Sequence, residues 1–351
     1  MTRKKMDQTS GSDSTNIQVA GNAQFGISYE SARQIALDVF KANFYEFSEK
    51  AAKKALERAE EITEKFLKTF FEDSNQDKTK LEEPAVQSSI YEVQKAYART
   101  GDEQLAQRLL DTLVARVISE ERSINQIVLD EAISVLPKLT DNEVNLLSFM
   151  VSATKVQYQG INTLQAFDDF VNTALLKFFP DKISTSELKH LQYCGCFTLP
   201  MGGPHAFMSL GEYLGVRYKG LLVNGFSEQQ FKVETNGMDL ASLGDFIIKN
   251  LRNHEMYQFN ALYDSEFDQR LVQLGLGEQG KLLKSLWHKT AMNKTEVEKV
   301  IIDINPHANT LINAWNKTIL PAIELSPVGY AIAVINFNRI MNSKLDFWAF
   351  M

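Results

Sequence analysis

From Ala32 to Phe71 the chain runs about forty residues without a glycine or a proline. Apolar residues return at Ala32, Ile35, Ala36, Val39, Phe40, Phe44, Phe47, Ala51, Ala55, Ala59, Ile62, Phe66 and Phe70. Steps of three and four are the helical period. The polar face carries Glu46–Lys50, Glu49–Lys53, Glu61–Lys65 and Glu64–Lys68, all in the supportive Glu-to-Lys order. Ser28 supplies an N-cap and Glu30 a negative charge in the first turn. A helix of about 45 residues would span roughly 68 Å. That exceeds the width of an ordinary domain, so such a helix must kink, protrude or pair with a partner.

The rest of the chain punctuates itself. Residues 1–14 are polar and read as a disordered tail, and Asn16–Asn22 as a short strand or hairpin. The spacing predicts helices near 84–99, 102–119, 121–136, 140–158 and 161–179, then 239–252, 259–274, 278–291, 294–303 and 326–341. Short connections among the first five place neighbours antiparallel. Residues 180–237 hold eight of the 18 glycines and read as a small mixed α/β insert, with short strands at 192–199 and 231–235. The expected fold is mainly α, with a long N-terminal helical arm and a helical-hairpin body. Its divisions are 1–27 (tail and short β leader), 28–83 (long helix and linker), 84–180 (helical bundle) and 181–351 (an α-rich region). Within the last, Leu325–Ala333 has the helix start of a winged-helix-like module.

Composition excludes several classes. Hydrophobic residues make up 44% and charged residues 23%, so the chain is neither fully disordered nor collagen-like. A net charge of −7 argues against strong non-specific binding to polyphosphate. The only cysteines, Cys194 and Cys196, are one residue apart and cannot staple distant segments. No apolar run is long enough to span a membrane, and no secretory h-region follows the basic start.

Four arrangements invite chemistry. His190, Cys194, Cys196 and His205 are a metal candidate, since thiolates and imidazoles are zinc's usual ligands. One residue between the cysteines is poor spacing for two thiolates on one ion, and two small buried thiols are the blander reading. Asp181 with Glu187 and Lys189 matches a nuclease string in which carboxylates hold Mg²⁺, but Ser184–Glu187 reads as a helix start. Gly275, Gly277 and Gly280 satisfy GxGxxG, yet a helix rather than a strand precedes them. Lys281, Lys284 and His288 share a helical face, with Lys289 and Lys294 beside it and Trp287 adjacent, that could meet phosphates or simply be solvated. Asp168–Asp169 reads as a helix-surface pair. Neither a GxSxG elbow nor an HExxH pair occurs. No cofactor is expected.

Asn16–Asn22 (NIQVAGN) and Ile27–Phe44 (ISYESARQIALDVFKANF) resemble an uncharacterised bacterial protein family, and similar leaders occur in proteins of phage-defence loci. The resemblance covers about residues 16–70, and more loosely Tyr218–Phe231 and Leu325–Ala333. It implies a bacterial cytoplasmic protein linked to defence and carries over no catalytic residues. The combined reading favours an interaction protein over an enzyme. It would self-associate or dock a partner protein through Ile17, Val19, Phe40, Phe44 and Phe47. The alternatives are DNA binding by a winged-helix-like C-terminal region and a metal-dependent hydrolase or nuclease.

Overall fold

The structure is a computed structural model that describes residues 27–43, 49–72, 76–120, 122–156, 158, 160–180, 183–199 and 208–350. The leader residues Ile17 and Val19, together with Phe44, Phe47, Asp181 and His205, lie outside the described residues. The fold is mainly α, in two packing units, Met1–Gly101 and Asp102–Met351.

The first unit holds α1 (Tyr29–Asn43), α2 (Glu49–Glu72) and α3 (Pro84–Thr100). The expected single arm is two antiparallel helices: Tyr29 meets the Phe71 ring at 5.7 Å, and Arg33 pairs with Glu64 at 3.1 Å. A lone rod would leave its apolar stripe in water. Packed side by side, the helices bury Ala36 and Phe40 of α1 and Ala59, Ile62 and Phe66 of α2. Phe40 is 2% exposed and packs with Ala55, Ala59 and Ala98, which makes it a core residue rather than a docking contact. Gln94 of α3 ties the three helices together. Its Nε2 donates to the Ala36 carbonyl at 3.2 Å and to Thr63 Oγ1 at 2.7 Å.

In the second unit α4 (Glu103–Ile118), α5 (Ile124–Val135) and α6 (Asp141–Thr154) start at the caps Asp102, Ser123 and Thr140. Next come α7 (Leu164–Phe170), prolonged as a π-helical turn over Val171–Leu176, α8 (Thr185–Tyr193), β1 (Phe197–Thr198), α9 (Leu210–Arg217) and α10 (Glu228–Glu234). The chain continues through β2 (Ile247–Lys249), β3 (Tyr257–Phe259), α11 (Asp264–Leu274), α12 (Gly277–Lys289), α13 (Lys294–Ile304) and α14 (Ala308–Lys317). It closes with β4 (Glu324–Leu325) and α15 (Pro327–Met341).

α15 is the axis of this unit. Every residue from Gly329 to Phe337 is buried, and the helix packs on α4, α5 and α6. A helix enclosed in this way cannot itself enter a DNA groove. A polar seam crosses the same packing. Arg108 (3% exposed) pairs with Asp141 and donates to Asn336 Oδ1 at 3.0 Å, while Asn336 Nδ2 donates to Ser148 Oγ at 2.9 Å. A second, aromatic core gathers Phe226, Phe231, Phe246, Phe259, Phe267 and Trp287. There Phe267 and Trp287 stack at 4.9 Å.

Several segments differ from expectation: of 192–199, read as a strand, only Phe197–Thr198 is one, α14 falls where no helix was read, and the helix read from 259 starts at Asp264. Residues 231–235, read as a strand, fall mostly in α10, because Ser227 caps it by accepting the Gln230 N–H. Residues 239–252, read as a helix, form a tight 3₁₀ turn over Leu240–Phe246 and then β2. Gly244, at φ +52°, breaks helical continuity, and β2 pairs antiparallel with β3, Ile247 opposite Phe259.

Candidate functional site

The thiol candidates sit where α8 ends against α6. Ser184 and Glu187 form a reciprocal capping box that starts α8, so Glu187 is engaged at the helix start and not held for a metal. One helical turn separates His190 from Cys194, which puts both on one face. His190 Nδ1 lies 2.6 Å from Glu143 Oε1, and Cys194 Sγ lies 3.6 Å from His190 Nε2. Glu143 is itself fixed. Its side chain is 2% exposed, and its other oxygen accepts the Thr140 N–H at 2.8 Å as part of the α6 capping box.

This row has the logic of a nucleophile, a base and an orienting carboxylate. With Nδ1–H donated to Glu143, the Nε2 lone pair faces the thiol. Against activation stands the electrostatics. Desolvation, then the Glu143 charge, holds the Cys194 thiol above its ordinary range. Burial pushes the Cys196 thiol up to about 12. Carboxylate, imidazole and thiol in this order are also what a metal's outer and inner shells would show. A metal needs further donors, and no group of three or more His, Cys, Asp or Glu among the described residues is placed to hold one. Cys196 Sγ lies 4.0 Å from the Cys194 carbonyl oxygen.

β1 lies under these thiols, pairing antiparallel with β4 through Phe197 opposite Leu325. Ser326 Oγ donates to the Gly195 carbonyl at 2.5 Å, and the Ser326 N–H donates to the Cys196 carbonyl at 3.0 Å. The loop carrying both cysteines is thereby tied to the first turn of α15. Gly329 completes the fit, since a Cβ there would lie 1.9 Å from the Cys196 carbonyl oxygen.

The α12 face is basic in sequence but neutralised in space. Lys281 pairs with Glu278 at 2.7 Å, Lys284 with both oxygens of Asp268 at 2.7 Å, and Lys289 with Glu234 at 2.5 Å. His288 Nδ1 receives a hydrogen bond from Lys219 Nζ at 3.1 Å. Lys219 itself is a site that sequence reasoning missed. Its side chain is only 10% exposed; the ammonium donates to Asp264 Oδ1 at 2.7 Å and lies 4.7 Å from the centre of the Trp287 ring. No local signal distinguishes Lys219 from the exposed lysines, because its partners come from α11 and α12.

The remaining motifs have structural uses. Gly275 sits just past α11 with φ +63°, so a helix precedes the GxGxxG glycines as the spacing predicts. Asp168 accepts from Asn305 at 2.7 Å and from Asn172 at 3.1 Å, a tie between helices.

A mainly α chain of two packing units, with one oriented thiol–imidazole–carboxylate row, is the class that fold and site define. A family model whose description reads only ":-like" matches residues 26–351, and the chain belongs to that family. No curated protein and no solved structure matches it. Among the described residues no helix is long and apolar enough to cross a membrane.

Proposed function

We propose that this chain is a bacterial cytoplasmic interaction protein of a phage-defence locus, which self-associates or docks a partner protein through its N-terminal unit. The observation that carries this reading is the separate packing of Met1–Gly101 around its own buried residues. A unit with its own buried residues can engage another chain without opening the core of 102–351. The family resemblance over residues 16–70 falls within the same unit. Light scattering is the test. If the unit self-associates, full-length protein is expected to run above monomer mass and residues 102–351 at monomer mass; monomers in both cases reject self-association through this unit. A neighbouring gene for defence machinery would name the process.

A second reading, a thiol-dependent hydrolase, is favoured by the Glu143–His190–Cys194 row. Iodoacetamide should then label Cys194 at a rate that drops in His190→Ala. Equal rates in the two proteins would remove His190 as the base.

A further inference from the structure

A cavity of about 360 Å³ opens between α9 and α13. That is the small end of the range for small-molecule sites: room for a metabolite, too little for a dinucleotide. Two glycines on one face of α9 belong to its lining. Gly211 and Gly215 let that helix approach α13 so closely that a Cβ at 211 would lie 2.5 Å from the Glu298 side chain. The walls are apolar, with Met208, Val216, Leu222, Met292 and Val297 among them. Val216 is 68% exposed, a hydrophobe left wet at the edge of the opening.

Four charged residues line the cavity, Lys219, Asp264, Glu212 and Lys294. Lys219 and Asp264 are already joined to each other. Two of the three Lys219 ammonium protons go to Asp264 and His288, which leaves one N–H. Glu212 and Lys294 form no ion pair among the described residues. The Glu212 carboxyl is held below its usual range first by hydrogen bonds from Ser209, with the Lys294 charge adding to the effect. An unbridged carboxylate and ammonium beside apolar walls are the complement of a zwitterion with an apolar side chain.

We infer that this cavity binds an apolar α-amino acid. The ligand's carboxylate meets Lys294 and the remaining Lys219 proton, its ammonium meets Glu212, and its side chain covers Met208, Val216 and Met292. A simple anion fits less well, because Glu212 and Asp264 would repel it; a simple cation meets the two lysines.

Calorimetry on the full chain, with L-leucine, L-methionine and L-phenylalanine as probes, tests the assignment. At least one should bind saturably and one-to-one. For L-leucine, removing either charge, as in leucinamide or 4-methylpentanoate, should weaken binding by roughly tenfold or more. Lys294→Gln should cost roughly tenfold as well, and because Lys294 is exposed its thermal unfolding should match wild type. No heat from any of the three amino acids overturns the inference. So does 4-methylpentanoate or leucinamide binding as tightly as leucine, or a folded Lys294→Gln protein that binds unchanged.

Discussion

At residue 329 a hydrogen stands where any other amino acid would push a Cβ to within 1.9 Å of the Cys196 carbonyl oxygen. Neither side can yield easily. The oxygen belongs to backbone bonded to Ser326, and the helix around Gly329 is buried on all sides. Gly329→Ala gains helix propensity but must separate β1 from α15. Overpacking of this kind costs about 2–3 kcal/mol, more than the propensity gain of about 1 kcal/mol. A urea titration should show a lower midpoint for the variant, and an unchanged midpoint would mean that the strand shifts freely. In sequence, Gly329 is one more glycine; the need for it comes from a segment more than a hundred residues earlier. His190 and Glu143 pose the same difficulty, 47 residues apart and joined only by the packing of α8 on α6. Even the shared helical face of His190 and Cys194 was not visible locally, because residues 192–199 read as a strand, whereas α8 runs to Tyr193 with Cys194 as its cap.

Among the elements, the helix starts were the most legible part. Ser326-Pro327, Thr140 with Glu143, and Ser184 with Glu187 each satisfy backbone N–H groups within a few residues of their own position. Capping is a local interaction, so a local pattern reports it. Strands were less legible, because β1 and β4 are two residues each and exist only through pairing with one another. One junction between elements has a titratable lock. Asp264, at the start of α11, accepts from Lys219 after α9 at 2.7 Å and from Trp287 of α12 at 2.5 Å. Desolvation raises the Asp264 carboxyl, but those hydrogen bonds and the Lys219 charge outweigh it, and the group sits below the usual carboxylate range. A folded value below the unfolded one, about 3.9, adds stability that is complete above the unfolded value and fades as pH falls through the folded one. The stability gap between wild type and Asp264→Asn should be steady above about pH 5 and shrink below about pH 4. Urea midpoints across that range would check it; a gap independent of pH would mean Asp264 is not ionised in the fold.

For the whole molecule, the mainly α class follows from periodicity, and the structure agrees with it. The arrangement of the first hundred residues did not follow. One 3.6-residue stripe describes equally a rod that pairs with another chain and two helices that pair with each other. What decides is that α3 offers a third face, with Gln94 bridging α1 and α2 from 58 and 31 residues away. The 102–351 chain used in the light-scattering test should therefore keep its own helical signal by circular dichroism, since α15 and its neighbours all lie within it.

The central place of α15 also sets a timetable for synthesis. Ser148 on α6 donates to the carbonyl of Ala333, 185 residues further along the chain. At the usual 5–20 residues per second, that stretch takes on the order of ten to forty seconds to emerge from the ribosome. Through that interval the faces of α4, α5 and α6 that will cover α15 have nothing to cover. Apolar helix faces left open for that long are the kind of surface that chaperones shield.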